Sequence, residues 1–236
     1  MDAAAVRYQL GNYDFNFGDD RWKAREMRRV ITAIPDMQTV TSYADVGCGD
    51  GGVFVSLHSE LIRSGFPLRR AVGYDVASAW KNIAAKSPQV DFKQADFLDD
   101  AFEVDLATLN DVIEHVLSPQ TLLAAVARRS RYVALHIPLD DRWSVLLSDQ
   151  WRHRIATVGH LSFWNIASAL NLLTASGLLP LTCRLTPGFL APSGRKNLMQ
   201  KLALPVRMAM YAVSPGGTAA TVGGVSLAVL CRGARQ

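Results

Sequence analysis

SYADVGCGDGG, Ser42 through Gly52, is the stretch on which the fold of this chain turns. Tyr43, Ala44 and Val46 make a short apolar strand, and the strand runs directly into glycines at 47, 49, 51 and 52. Glycine in a strand-to-helix turn lets the backbone adopt positive φ and approach a ligand with no Cβ in between. The helix read over Val53 to Arg63, broken by Gly65 and Pro67, then offers free N–H groups and a partial positive charge at its start.

Downstream, short apolar runs alternate with helical ones. AVGYD (71–75), VDFKQADF (90–97), DLATLND (105–111) and RYVALHIP (131–138) read as strands two to five. Ala77–Ala85 and Thr121–Arg129 read as helices. Upstream, Trp22, Met27, Val30, Ile31 and Ile34 recur at helical spacing until Pro35. This alternation predicts a parallel sheet wound with crossover helices. Beyond it, residues 139–161 carry Trp143, Trp151, Arg152, His153 and Arg154 without clean periodicity, and read as a lid-like insertion. Ser162 is the expected N-cap of a helix ending at Ala175 before Gly177. LPLTCRLT (179–186) and VSLAVLCRG (225–233) read as strands six and seven, antiparallel at the sheet edge. A helix around Asn197–Tyr211 and a loop SPGGTAATVGG (214–224) separate them. The expectation is one domain over 1–236, with an N-terminal helical arm (1–35) and the insertion as its attachments.

Composition narrows the function. A net charge of +4, carried mostly by scattered arginines, forms no basic stripe, so nucleic acid is not an expected partner. Three cysteines without a CxxC pair argue against a disulfide framework or zinc cluster. No apolar run is long enough to span a membrane, and the N-terminus lacks a signal-peptide pattern, so a cytoplasmic setting is expected.

In an open α/β sheet, ligands bind beyond the carboxyl ends of the strands, near the point where strand order reverses. Four successive strand ends carry suitable groups. The glycine turn follows Asp45; Asp75, ending strand two, can accept both hydroxyls of a ribose; Asp96 can accept from an adenine amino group; Asn110 and Asp111 end strand four. A dehydrogenase reading also stands at this point, because two of the glycines fit a dinucleotide fingerprint equally well.

The series DVGCGDGG, GYD, QADF and NDVIEHV resembles the motifs of class I S-adenosylmethionine-dependent methyltransferases, of the broad type acting on small molecules. The likeness covers Tyr43–Val116, and more loosely GHLSFW (159–164) with its following helix. It implies a three-layer, Rossmann-like sandwich with a seven-stranded, mostly parallel sheet. It further implies Asp45, Gly47 and Gly49 at the methionine moiety, Asp75 on the ribose and Val76 against the adenine face. Asp96 and Phe97 would stand at the adenine edge and Asn110 at the methionine end, with Asp111 and His115 counted to the same cofactor site. S-adenosylhomocysteine would be the product. Specialised bacterial metabolism is the setting suggested by an Ala-, Arg-, Leu- and Gly-rich composition.

A hydroxyl acceptor needs somewhere to send its proton, and histidine titrates near neutrality. His160, just ahead of the helix after the insertion, is the first candidate, and His136 in strand five the second. Asp111 and the pair Asp140-Asp141 stand where metal-dependent catechol-type enzymes carry carboxylates, yet no histidine pair at helical spacing accompanies them, and no metal is expected. O-methylation of a small organic acceptor is thus favoured; N- or C-methylation, or a non-catalytic protein that only binds the cofactor, are the alternatives. Leu198–Tyr211 is read first as core and otherwise as a homodimer face or pocket wall. Tyr8, Tyr13, Phe15 and Phe17 are read as an arm over the site or a seal on the core edge.

Overall fold

A computed structural model of the protein describes residues 18–100, 102–193 and 198–235, the side chains of residues 153 and 157 apart. The aromatic arm from Tyr8 to Phe17 lies outside these residues. Seven strands form one sheet in the order β3-β2-β1-β4-β5-β7-β6. They are β1 (Ser42–Val46), β2 (Arg70–Asp75), β3 (Asp91–Gln94), β4 (Val104–Asn110), β5 (Ser130–Pro138), β6 (Leu179–Thr186) and β7 (Ser226–Arg232). The first five pair in parallel, while β7 is antiparallel to both β5 and β6, as expected. Strand order reverses between β1 and β4, so the turn after β1 and the exit of β4 open onto the same crevice.

Helices cover both faces. On one side α1 (Asp20–Ile31) and α2 (Gly52–Arg63) bury Met27, Ile31, Phe54, Leu57 and Leu61 against the sheet. Each such side chain contributes roughly 1.5–3 kcal/mol on leaving water. On the other side α4 (Pro119–Arg129) and α7 (Ile166–Ala175), which follow the single-turn α3 (Lys81–Ala84), bury Leu123, Val126, Ala169 and Leu173. The helix predicted over Ala77–Ala85 contracts to that one turn, because Asp75 accepts from the Ala77 N–H and Trp80 Nε1 donates to the Ala77 carbonyl, folding the segment as a turn.

The region after β5 departs most from expectation. Residues 139–161 fold into two short helices, α5 (Trp143–Leu147) and α6 (Gln150–Val158). The cap of α7 is Asn165, whose side chain accepts from the Ser168 N–H while the Ser168 hydroxyl accepts from the Asn165 N–H. Ser162 is instead held outside the helix, its N–H donated to the Glu114 carbonyl. SPGGTAATVGG is partly helical, as α9 (Pro215–Ala220), since Pro215 fits the first turn and Ser214 caps it. The expectation of a buried α8 (Leu198–Val213) is corrected. None of its residues is buried, and Met199 is 75 % exposed. Only Leu204 and Tyr211 pack partly against the core. No helix among the described residues is long and apolar enough to cross a membrane.

Candidate functional site

The turn after β1 is shaped as the glycines require. Gly47 has φ 75° and Gly49 φ 58°, and a Cβ on Gly47 would stand 2.8 Å from a methyl of Val112. The Gly47 and Cys48 N–H groups both donate to the Tyr74 carbonyl, which pulls the loop against the end of β2. The Asp75 carboxylate completes the clamp, accepting from Gly49 N at 2.8 Å through one oxygen and from Ala77 N at 2.8 Å through the other. Burial raises its pKa, and the two N–H bonds partly offset that. Each oxygen keeps a lone pair for a ligand hydroxyl.

Beside this clamp lies a cavity of about 230 Å³ between the ends of β2 and β4. Val76, Phe97, Val112 and Leu122 give it apolar walls, and Asp75 and Asp96 stand along it. Val76 is exposed at its mouth. Phe97 is buried, edge-on to Tyr74 at 5.2 Å between ring centroids, so it anchors the wall from the core. Asp96 is exposed and closes its own turn by accepting from Leu98 N at 2.9 Å.

A second, more polar cavity of about 330 Å³ adjoins the first, and the two share Gly47 and His115. Asp45 lies at its floor, 1 % exposed, with one carboxylate oxygen accepting from Thr108 Oγ1 at 2.5 Å and Asn110 Nδ2 at 3.0 Å. Burial lifts the Asp45 carboxyl to about 7 in spite of those two bonds, with the Asp75 charge adding to the rise. Asn110 Oδ1 is buried without a hydrogen-bond partner.

Asp111, at φ 55°, faces this second cavity rather than the apolar slot. It pairs with Lys23 Nζ at 2.6 Å and with His136 Nδ1 at 2.6 Å. Those charges hold its carboxyl far below the usual carboxylate range, against the opposing effect of burial. His136 also turns Nε2 to Thr186 Oγ1 at 3.2 Å, so both ring nitrogens are engaged. His160 and His115 meet edge-to-face with ring centroids 4.9 Å apart. Burial lowers both imidazoles, His160 to about 4 with a further contribution from His115. Beside them lies Glu114, 1 % exposed, whose two carboxylate oxygens have no hydrogen-bond partner. Its carboxyl is pushed well up by burial and by Asp111.

The residues singled out in the sequence line the slot and part of the second cavity, while Lys23, Thr108 and Glu114 were not singled out; Asp140, weighed there as a metal carboxylate, instead pairs with Arg142 and with Arg154 of the insertion. Glu114 lies inside the quoted NDVIEHV run, the one signal that could have found it. Lys23 carries no such signal, being one polar position of an amphipathic helix. Trp143 is 64 % exposed and lines a separate cavity, and Trp151 stacks under the Arg152 guanidinium, so neither tryptophan faces the site. His58 is buried in α2, away from both cavities, as a packing residue. The His153 side chain lies outside the described residues.

Comparison with known proteins bears on the family and the fold. A family described as "Methyltransferase domain" matches residues 20–182. No curated protein matches the sequence. Among solved structures, the N-methyltransferase NodS from Bradyrhizobium japonicum, bound to S-adenosyl-L-homocysteine, is similar at TM-score 0.58 and 12 % identity, over 98 % of this chain and 97 % of that one. Geranyl diphosphate methyltransferase, bound to S-adenosylmethionine, gives 0.58 and 13 %, over 89 % and 84 %. Magnesium protoporphyrin IX methyltransferase from Synechocystis PCC 6803 gives 0.52 and 16 %, over 77 % and 86 %. At these identities the likeness speaks to the fold.

Proposed function

We propose, from the premise that this chain belongs to the methyltransferase-domain family and is an S-adenosylmethionine-dependent enzyme, that it methylates a small organic acceptor, with oxygen the favoured atom. The observation that carries this reading is the pair of cavities meeting at Gly47 and His115. One is an apolar slot with carboxylates along it, suited to an adenosine. The other is polar, and its volume lies at the lower end of the range for small-molecule sites.

The residues fit the cofactor on their own chemistry. Asp75 would hold the ribose, Val76 and Phe97 would flank the adenine, and Asp96 would meet its amino edge. The buried, unpartnered Asn110 Oδ1 and the adjoining Asp45 call for a donor, and the methionine ammonium is one. When bound, S-adenosylmethionine supplies an electrophilic methyl group on a sulfonium sulfur. The chain's part is to hold the acceptor oxygen in line at near-attack distance and to exclude water. Gly47 allows that approach because no side chain intervenes. His115, His160 and Glu114 stand beside the junction, where an acceptor hydroxyl would lie. His136, tied to Asp111 and Thr186 through both nitrogens, serves as a positioning residue for Asp111 and Lys23. The three cysteines are free, which supports a reducing, cytoplasmic setting.

Calorimetric titration of S-adenosylhomocysteine and of NAD into wild type and Asp75→Ala tests the cofactor site. Micromolar binding of the first ligand alone, lost in the variant, is the expected result, followed by a labelled-donor screen of hydroxylated small molecules. Binding of NAD in its place would overturn the reading and restore the dehydrogenase alternative. Labelling confined to amines would remove the preference for oxygen.

A further inference from the structure

We propose that Glu114, His115 and His160 bind a divalent transition-metal ion at the junction of the two cavities. One ligand atom from each residue lies within 4.8 Å of those from the other two, so a cation placed among them is within coordinating reach after small side-chain shifts. His115 and Glu114 are neighbours in the chain, while His160 arrives from beyond the insertion, so no sequence spacing announces the set.

Two independent observations point to a cation rather than to a chance cluster. The first is the state of Glu114. Both of its oxygens are buried and lack a hydrogen-bond partner, an arrangement that folded proteins rarely leave uncompensated. Neighbouring acids are compensated: Asp111 pairs with Lys23 at 2.6 Å, and Asp140 with Arg142 and Arg154, each at 2.5 Å. Glu114 has no such lysine or arginine partner within salt-bridge distance among the described residues.

The second is the way the imidazoles are turned. A metal-bound histidine characteristically directs its other ring nitrogen to a carbonyl or carboxylate, which fixes the tautomer and the ring plane. His115 has Nδ1 3.2 Å from the Gly159 carbonyl and Nε2 3.9 Å from Glu114 Oε1. His160 has Nδ1 3.5 Å from Asp140 Oδ2. His115 Nδ1 thus has an outer partner in the Gly159 carbonyl, whereas His160 Nδ1 is buried without a hydrogen-bond partner, 3.5 Å from the Asp140 carboxylate, so His160 is a second buried polar group that a bound cation would fix in place. Two imidazoles and one carboxylate suit zinc, manganese, iron(II) or cobalt(II) better than magnesium or calcium, which prefer all-oxygen sites. Three protein ligands leave coordination positions open toward the cavity. There an acceptor hydroxyl or carboxylate oxygen could bind next to the methyl donor; this last step rests on the proposed function, while the metal site itself does not.

The test uses full-length protein without a polyhistidine tag, stripped with chelator and dialysed. Zinc and manganese are titrated calorimetrically and cobalt(II) by visible absorption, into wild type, Glu114→Gln, His115→Gln and His160→Gln. S-adenosylhomocysteine titration on the same samples reports on folding and on the cofactor site. The expected result is one ion per chain at micromolar or tighter affinity, a low-coordinate cobalt spectrum, and at least tenfold weaker binding in each variant. Wild type that binds S-adenosylhomocysteine but no metal would overturn the metal site and leave the methyltransferase reading standing. Metal affinity equal in wild type and all three variants would overturn it as well. Metal binding without S-adenosylhomocysteine binding would support the site and count against the cofactor placement.

Discussion

Asp45 makes ligand affinity and stability depend on pH in opposite ways. Its carboxyl sits at about 7 in the folded chain, and the gap from the ordinary aspartate value of 3.8 corresponds to about 4 kcal/mol. An unfolded Asp45 loses its proton near pH 4, whereas the folded one keeps it until about 7. Across that window the native state binds more protons than the unfolded chain, so this group's contribution to stability falls as pH rises and levels off above 7. Asp45→Asn keeps the shape and the Thr108 contact but removes the ionisation, so it should flatten that decline. A methionine ammonium placed beside Asp45 favours the carboxylate. Affinity for S-adenosylhomocysteine should therefore rise roughly tenfold from pH 6 to pH 8, as the ionised fraction goes from about a tenth to about nine tenths. Calorimetry in buffers of different ionisation enthalpy should show close to one proton released per ligand bound at pH 6, and none from this group in Asp45→Asn. Identical pH profiles and proton counts in the two proteins would refute the placement of the ammonium at Asp45.

Three other outcomes follow from particular contacts. Gly47→Ala should lose about 2 kcal/mol or more in urea denaturation, because a left-handed φ is joined by a 2.8 Å clash with buried Val112. Gly65→Ala, with φ +91° and nothing within 4 Å, should lose only the backbone share, and equal losses would show that the clash is absent. Asn165→Ala removes both the α7 cap and the 2.7 Å bond from Nδ2 to Asp141, and should lower stability by about 1–2 kcal/mol, a Tm drop of roughly 2–8 °C. Leu198, Leu202 and Val206 form one exposed stripe on α8, so we expect a homodimer in light scattering that Leu202→Glu dissociates; a wild-type monomer would refute this.

The parallel sheet and the apolar slot beside Asp75 were legible because their determinants are local. A strand ending in glycine, or in an aspartate, declares both its secondary structure and its position at the crevice within a few residues. DVGCGDGG and GYD need no knowledge of the rest of the chain to be read. The helix of SPGGTAATVGG was not legible, since its two glycines argue for a loop, and only the Ser214 cap and Pro215 tip the balance. Nor was the exposure of α8, because an apolar sequence predicts burial without saying against what.

The second cavity was hard to read for a different reason, which bears on its chemistry. Its charged groups come from α1, the β4 exit, β5 and the insertion, and each makes sense only against a partner far away in the chain. Lys23 is an ordinary helix-surface lysine until Asp111 is set beside it, and Asp140 an ordinary loop former until Arg142 and Arg154 close on it. Buried ion pairs of this kind add little net stability, because desolvation consumes most of the attraction, yet breaking one leaves a naked charge at a cost of several kcal/mol. They therefore fix geometry more than they stabilise it. Here they fix Asp111 and Asp140 at the cavity wall while leaving Glu114 with no lysine or arginine partner among the described residues, so a carboxyl the fold leaves without a hydrogen-bond partner stands beside the two imidazoles.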